Sequence, residues 1–284
     1  MIGTVAQLFR YPVKSMAGEE VTSARFDEPG IEGDRRWAVV DVASGKVASA
    51  KRPKLWGSLL ECAAATDTAG RGWITLPGGT RFATDAPDAA EQLSAYVGRP
   101  VTLETSVGSP TLEMFQSDGG LSDDGDQLLA VDESEDSRVT VTDLALGMLA
   151  PGTFLDLSPV HLITSAALTR LSELHPEGDI THRRFRPNLL IATEGAAGFV
   201  ENAWAGQALQ IGAVRLRVVV PTTRCTMTTV AQGPLPRDRR VLQTLAEHNR
   251  VEIPGFGVFP CLGASATVEE SGTISVGDVV ELVG

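Results

Sequence analysis

Short apolar runs separated by glycine, proline and aspartate turns constrain the fold of this chain more than any other feature. Residues 4–9, 37–42, 59–65 and 73–76 are runs of this kind, each four to seven residues long. Runs of this length bounded by turn residues predict β-strands. No alternation of strand and helix patterns extends through the first hundred residues, so a parallel βαβ sheet is not indicated. The sequence therefore predicts a mainly β (α+β) fold.

Helical spacing of apolar residues occurs in only a few places. Residues 86–97 show it and end at Gly98, the predicted C-cap. Residues 165–174 show it with Ser165 as the predicted N-cap, and residues 237–249 also predict a helix. Further strands are predicted at residues 100–103, 188–192 and 209–220, with Pro221 ending the last, and two short strands are predicted around a Gly277-Asp278 turn in residues 272–283. These elements predict a β-rich N-terminal barrel domain at residues 1–105, an acidic linker at 106–137, and a β-barrel-like C-terminal domain at 138–284.

Composition and charge exclude several classes of protein. The chain has 284 residues and a formal net charge of −12, which would repel nucleic acids and anionic membranes. It contains no apolar run of roughly 18 residues and no secretory leader pattern at its start. Three widely spaced cysteines form no disulfide framework. We therefore expect a cytoplasmic protein that binds neither nucleic acid nor membrane.

Acidic residues are concentrated in the segment from Asp118 to Asp136, which contains eight carboxylates and no lysine or arginine. A run of like charges is typical of a solvated linker or surface loop. The alternative is a docking surface for a basic partner.

Cys225 is the residue that most suggests chemistry. It directly follows Arg224 at the end of the apolar run 214–220 and is surrounded by threonines. A neighbouring cation favours the thiolate, which is the form that binds metals or attacks electrophiles. The alternative is a small buried hydrophobe, the usual fate of a free cysteine. Cys261 poses the same choice, between a second functional thiol and a structural residue.

Four basic clusters lie in turn-like contexts of this acidic chain, at residues 11–15, 33–37, 51–54 and 182–188. Each alone is consistent with a solvated loop, but if the four clusters converge in space they form a pocket for a small polyanion. Arg186 and Asn188 lead into a predicted strand, where a guanidinium would be well fixed. Phosphate-loop, dinucleotide, zinc-protease and Cys-x-x-Cys motifs are absent from the sequence.

The motifs in their order resemble those of the MOSC-domain family, in the branch with an extra N-terminal β-barrel domain. That branch includes the mitochondrial amidoxime-reducing component and the YcbX-like proteins. The residues that carry the resemblance are 11–16, 30–37, 93–100, 159–165, 184–188, 223–229 and 272–278. The resemblance covers nearly the whole chain and implies a MOSC domain behind an N-terminal β-barrel.

The resemblance also implies a molybdenum cofactor, a pterin dithiolene with a terminal phosphate, bound through Cys225 as the metal ligand and catalytic centre. A soft thiolate suits that role. The other implied cofactor contacts are Lys14, Ser15, Arg35, Thr164, Ser165, Arg186, Asn188, Thr223, Arg224 and Phe259, the last standing where the amidoxime reductase has a tyrosine. At the family level, the resemblance further implies an association with pyridoxal phosphate binding.

The resemblance implies an oxidoreductase that reduces small N-hydroxylated or related N–O substrates and receives electrons from a separate ferredoxin- or flavoprotein-type donor. Two alternatives stay open. One is a sulfur-carrier or cofactor-sulfuration protein that uses a persulfide on Cys225, and the other is a non-enzymatic module that binds an anion or cofactor. After Thr229 the chain lacks the acidic residue that better-known members carry, and residues 49–54 also differ from the usual pattern. These departures bear on the identity of the substrate more than on the binding of the cofactor.

Overall fold

The computed structural model describes residues 1–106, 154–255 and 257–283. The acidic segment, and with it the predicted linker beyond Ser106, lies outside the described residues. The strands are β1 (Gly3–Arg10), β2 (Glu19–Val21), β3 (Ser23–Asp27), β4 (Gly30–Ile31), β5 (Trp37–Asp41), β6 (Ala63–Thr66), β7 (Gly72–Thr75), β8 (Arg81–Ala83), β9 (Val101–Thr105), β10 (Val160–Thr164), β11 (Leu189–Ala192), β12 (Ala208–Ile211), β13 (Val214–Thr223), β14 (Arg250–Ile253), β15 (Gly257–Glu270), β16 (Gly272–Ser275) and β17 (Val279–Val283). The helices are α1 (Pro53–Trp56), α2 (Ala89–Val97), α3 (Ser165–Leu174) and α4 (Arg240–His248).

A closed seven-stranded barrel organises the C-terminal half of the chain, and this confirms the predicted strand-rich fold. Its strands follow the order β10-β11-β1-β17-β12-β13-β15, and pairing of β15 with β10 closes it. The pairs in this barrel are antiparallel except β10 with β11. Closure leaves no unpaired edge within the ring of strands.

The first strand of the chain is a member of this barrel. In β1, Leu8 pairs with Leu189 of β11, and Gly3 pairs with Val280 of β17. The next strand, β2, pairs with β1, and the third, β3, pairs with β16. The loop that follows β1 is therefore carried to the mouth of a barrel built mostly from the C-terminal half. The division of the chain at residue 105 stays a prediction.

Alternating side chains of the strands fill the barrel interior. In β13, Val214, Leu216 and Val218 are fully buried, whereas the arginines between them are partly exposed. A period of two places successive side chains on opposite faces of a strand. Burying each of these apolar side chains contributes roughly 1.5–3 kcal/mol.

The N-terminal part has its own apolar core. Strands β5 and β9 pair, β6, β7 and β8 form a small sheet, and α2 packs with them. Trp37, Trp56 and Leu93 are among the buried side chains of this cluster. Helix α2 ends at Gly98, whose φ of +72° is left-handed, as the predicted C-cap requires.

Several element predictions needed correction. Residues 57–61 form a 3₁₀ turn before β6, so the predicted strand 59–65 is wrong in its first half. The predicted strand 209–220 is two strands, because Gly212 turns the chain at a φ of +57°. The strand β13 also continues past Pro221 to Thr223, with irregular register on both sides of the proline. Proline is tolerated there because a bulge does not need its missing N–H group.

The last two strands lie on either side of the predicted Gly277-Asp278 turn but do not pair with each other. Strand β16 pairs with β3, and β17 pairs with β12 and β1. In α3, the predicted bounds are confirmed, but Thr164 rather than Ser165 accepts the capping hydrogen bond. Among the described residues, no helix has the length and apolar character needed to cross a membrane.

Candidate functional site

A cavity of about 280 Å³ opens beside Cys225, where the N-terminal loops meet the barrel. Seven of the residues predicted for the site line it: Arg35, Arg186, Asn188, Thr223, Arg224, Cys225 and Phe259. They come from the turn before β5, the segment before β11, the end of β13 and the start of β15. The fold therefore brings together side chains that lie more than 200 residues apart in the sequence.

Cys225 lies between the end of β13 and a 3₁₀ turn at Thr226–Thr229. Its backbone is extended, and its carbonyl accepts hydrogen bonds from the Thr228 N–H at 3.2 Å and the Thr228 hydroxyl at 3.0 Å. The residue is partly exposed, whereas Cys62 and Cys261 are buried. Cys225 is therefore the one cysteine of the three that is placed to bind a ligand from the cavity.

Burial gives the other two cysteines a structural character. Cys261 packs against Val220 and Ile253, and burial raises the pKa of its thiol to about 12. Burial likewise raises the pKa of the Cys62 thiol to about 12. Both groups stay protonated at neutral pH, and a protonated thiol is a poor nucleophile and metal ligand. This favours the structural interpretation of Cys261.

Arg224 stiffens the wall next to Cys225. Its Nε donates to the Leu262 carbonyl at 2.8 Å and its Nη1 to the Phe185 carbonyl at 3.2 Å, while Nη2 contacts His161 Nε2. Burial lowers its pKa to about 10, so the guanidinium keeps its charge at neutral pH. Its hydrogen bonds are largely used within the protein, which makes Arg224 a brace for the Cys225 loop.

His161, which the sequence suggested as a core or supporting histidine, occupies the wall of the cavity. Its Nδ1 lies 3.3 Å from the Arg186 carbonyl, which has no hydrogen to donate. Nδ1 must therefore carry the proton, leaving Nε2 to accept from Arg224. Burial and the charge of Arg224 hold the pKa of His161 well below its ordinary value, so the ring is neutral.

Arg35 and Arg186 present two cations to the same cavity. Arg35 is held by Asp34 at 2.5 Å, and Arg186 donates to the Met16 carbonyl at 2.5 Å. Asn188 ties this region together, because its amide nitrogen donates to Asp34 at 3.2 Å and its oxygen accepts from the His161 N–H at 3.0 Å. Burial, together with the charge of Arg35, lowers the pKa of Arg186 to about 10.

Lys14 and Ser15 lie behind the cavity wall. Lys14 donates to Asp156 at 2.6 Å, and Lys51 lies 3.5 Å from the same carboxylate. Burial raises the pKa of Asp156, but the two lysine charges outweigh it and lower that pKa below its usual range. Ser15 accepts a hydrogen bond from the Ala50 N–H at 3.0 Å and so fixes the loop that carries Lys51. Asp156 and Lys51 line the cavity, so Lys14 and Ser15 support it from behind.

The structure does not bring Thr164 and Ser165 to this cavity. Thr164 is buried, donates to Glu201 at 2.8 Å, and caps α3. Ser165 contacts Thr193 on a separate surface depression. Ser158 is one of five hydroxyl residues that line the Cys225 cavity without having been predicted for it; the others are Thr222, Thr226, Thr228 and Ser265. Ser158 directly precedes the Pro159 motif, and this position was the only signal in the sequence that could have indicated it.

Sequence reasoning also missed Asp156 and the apolar part of the wall, and it predicted Lys51 only as a member of the basic cluster at residues 51–54. Leu155, Leu157 and Met227 supply that part. Residues 51–54 were noted as basic, but nothing local in the sequence pairs Lys51 with a carboxylate 105 positions later. Residues 154–159 contain no cluster of residue types typical of a functional site, so the sequence gave no reason to single out Asp156.

The donor set fits a cofactor that brings most of its own metal ligands. Within the part of the chain that the structure describes, no three His, Cys, Asp or Glu residues form a group that could hold a metal ion. A metal at Cys225 would therefore take its remaining ligands from a bound group or from solvent. The wall offers the thiol of Cys225 as a soft donor, together with the cations of Arg35, Arg186 and Lys51, which suit an anionic group.

Comparison with known proteins identifies two family domains in this chain. The family model "MOSC N-terminal beta barrel domain" matches residues 2–99, and "MOSC domain" matches residues 151–281. Mitochondrial amidoxime-reducing component 1 of Mus musculus is 27% identical over 311 residues, covering 100% of this chain and 83% of that protein. Its Homo sapiens counterpart is 28% identical over 300 residues, covering 100% of this chain and 84% of that protein.

A solved structure, the YUAD protein from Bacillus subtilis, aligns with a TM-score of 0.44 at 11% identity, over 99% of this chain and 96% of that one. The matched domains and the amidoxime-reducing relatives together indicate a family of molybdenum-cofactor-associated oxidoreductases. The chain belongs to the MOSC-domain proteins that carry an N-terminal MOSC β-barrel domain.

Proposed function

We propose that this protein is a molybdenum-cofactor oxidoreductase that reduces small N-hydroxylated or related N–O compounds in the Cys225 cavity. The observation that carries the proposal is the pairing of a partly exposed free thiol with a cationic wall. The amidoxime-reducing relatives supply the reaction class. The overall reaction converts N–OH to N–H and releases water, and it consumes two electrons and two protons. The electrons would come from a separate ferredoxin- or flavoprotein-type donor.

The cofactor would supply the two-electron chemistry, and the chain would supply binding, orientation and electrostatics. Cys225 would be the protein ligand of the metal, held by Arg224 and by the turn that contains Thr228. Arg35 and Arg186 would bind the anionic part of the cofactor. Thr223 and Asn188 would add polar contacts at the wall.

The remaining wall has the character of a substrate pocket. Leu155, Leu157, Met227 and Phe259 present apolar surface. A mostly apolar pocket with a few polar groups excludes water and selects small organic molecules. Lys51 and Asp156 would supply the polar contacts to the substrate's N–O group. A cytoplasmic location, the absence of nucleic-acid and membrane binding, and pyridoxal phosphate binding stay predictions.

Metal analysis tests the proposal. Wild-type protein from a host that makes the cofactor is expected to hold about one molybdenum and one pterin per chain, because Cys225 provides a single protein ligand. Cys225→Ser should lose the molybdenum, since an alcohol is a much poorer soft-metal ligand. Cys261→Ser is the control that keeps the metal. Metal-free wild type, or a Cys225→Ser protein that retains molybdenum fully, would contradict the proposal.

The exposure of Cys225 also favours a second candidate, a sulfur carrier with a persulfide on this residue. Mass spectrometry of freshly purified protein distinguishes the two. A mass gain of one sulfur atom on Cys225 that is removed by a reductant, with no pterin present, would favour sulfur transfer over the oxidoreductase.

A further inference from the structure

A β-bulge in β15 lies beside the Arg224 side chain. The register of β13 against β15 shifts between Pro221 and Thr223, so that one residue of β13 faces two residues of β15, Leu262 and Gly263. Neither of these two residues is paired with β13. Gly263 has a φ of +85°, a left-handed value that glycine adopts readily. A bulge of this kind takes backbone groups out of the hydrogen-bonded ladder, and those groups then need other partners.

The peptide group that joins the two bulge residues finds a partner at each end. Its carbonyl, that of Leu262, accepts from Arg224 Nε at 2.8 Å and also contacts Arg224 Nη2. Its N–H, that of Gly263, donates to Oε1 of Glu201 at 3.0 Å. A peptide group is planar, so fixing the direction of its N–H also fixes the direction of its carbonyl. The Glu201 carboxylate therefore orients the carbonyl that holds Arg224.

Glu201 is itself held from the other side. It is fully buried in a 3₁₀ turn at Val200–Trp204. Its second carboxyl oxygen, Oε2, accepts from the Thr164 hydroxyl at 2.8 Å. That hydroxyl in turn accepts from the Ala167 N–H at 3.1 Å, in the first turn of α3. Glu201 thus connects the bulge to the end of β10 and the start of α3.

The contact matters for the Cys225 loop because of what Arg224 does there. Arg224 directly precedes Cys225, and its own N–H donates to the Pro260 carbonyl at 2.8 Å. Its Nη2 is shared between the Leu262 carbonyl and His161 Nε2. If the bulge peptide turned, Arg224 would lose its Leu262 acceptor and move relative to the His161 ring.

We propose that Glu201 is a positioning residue for the Cys225 site: its carboxylate fixes the peptide group that holds the Arg224 side chain. The inference rests on the proposed function in that Cys225 is there the metal ligand. It goes beyond that function by assigning the geometry of the loop to a buried acid that does not line the cavity.

The test uses full-length protein from a host that makes no molybdenum cofactor. The chain has four histidines, and nitrogen NMR of protein labelled at the histidine rings resolves them, with His161→Gln as the assignment variant. Glu201→Met removes the acceptor, so the His161 Nε2 resonance should move toward that of a ring without a donor. Amide hydrogen exchange of residues 224–230, measured by mass spectrometry, should become at least about tenfold faster.

Two variants separate positioning from a purely structural role. Glu201→Gln keeps a carbonyl acceptor for Gly263, and its amide can donate to the Thr164 hydroxyl, which also accepts hydrogen bonds. Its His161 resonance should stay at the wild-type position and its exchange rate within about threefold of wild type. Thr164→Val removes the other bond to Glu201 and the cap of α3, so its urea midpoint should fall while both readouts hold. A purely structural role would move the readouts in step with the lost stability.

Three outcomes would overturn the inference. These are a wild-type His161 resonance in folded Glu201→Met, an equal change in Glu201→Gln and Glu201→Met, and an equal change in Thr164→Val. If Glu201→Met does not fold, Glu201→Ala leaves room for water at the two donors and is expected to show the same change in resonance. The molybdenum content that tests the proposed function is measured separately. Metal-free wild type with the expected NMR series would therefore refute the function and leave the role of Glu201 standing.

Discussion

Arg184 offers the sharpest test of how the Cys225 loop is held. The side chain is completely buried. Its Nε donates to the Asp179 carbonyl at 2.9 Å, and its Nη2 donates to the Pro236 carbonyl at 3.0 Å. A longer contact of 3.5 Å reaches the carbonyl of Thr228, the residue that hydrogen-bonds the Cys225 carbonyl. Arg184 therefore joins the segment before β11 to both ends of the loop that follows Cys225.

The cost of Arg184→Met follows from these contacts. Methionine fills much of the volume but donates no hydrogen bond. Two buried carbonyls lose a donor at good distance, at about 1–3 kcal/mol each, and the third contact adds little. We expect the free energy of unfolding to fall by about 2–6 kcal/mol, the sum of the two losses.

Urea unfolding followed by circular dichroism measures this loss, and Arg183→Met is the matched control. Arg183 is the same residue type one position earlier, and it is exposed. Its replacement should change the stability by no more than about 0.5 kcal/mol. The rate of Cys225 alkylation at fixed pH should rise in Arg184→Met, because the loop loses its anchor. A loss below about 1 kcal/mol, or an equal loss in the two variants, would refute this account of the loop.

Three further predictions concern thiols, pH and packing. Iodoacetamide should label native protein at Cys225 alone, because the other two cysteines are buried thiols of raised pKa; mass spectrometry that finds a second site would contradict this. His161 has a lowered pKa in the folded state, so the unfolded chain binds its proton first and stability falls as pH drops below about 6.5, by up to about 1.4 kcal/mol per pH unit. His161→Gln should make the urea midpoint depend less steeply on pH between 7 and 5.5, and an unchanged slope would count against the neutral ring. Gly263→Ala should lower the unfolding midpoint far more than Gly195→Ala. Both glycines have a positive φ, but of the two only Gly263 would bring an added Cβ to 2.5 Å from a backbone oxygen. Equal unfolding midpoints would disprove the packing argument.

Local pattern was enough to predict elements whose formation depends on near neighbours. Helix α3 has the predicted bounds because its apolar residues repeat at helical spacing. Strand β1 likewise follows its apolar run. The predictions failed where strand pairing depends on residues far away in the sequence. Residues 272–283 look like a hairpin, but the barrel supplies better partners for each strand than the strands offer each other.

The residues of the candidate site also fall into those that local sequence predicted and those that depend on distant contacts. Residue types and motif order identified Cys225, Arg35 and Arg186, because a thiol beside a cation and arginines in turns are visible along the chain. The sequence did not say on which side of β10 the Thr164 hydroxyl would lie, and the fold uses that hydroxyl to cap a helix. A side chain's face depends on register, which pairing with distant strands sets.

The sequence by itself determined that this chain is strand-rich, it predicted Cys225 as the centre of the chemistry, and it indicated cations rather than a cluster of metal ligands around that thiol. Only the tertiary structure decided that Lys51 meets Asp156 and that the Tyr11 ring lies against Arg35 and Arg186. The reason is physical. Composition and periodicity act over a few residues, whereas these contacts exist only once β1 has joined the barrel and carried its loop to the Cys225 cavity.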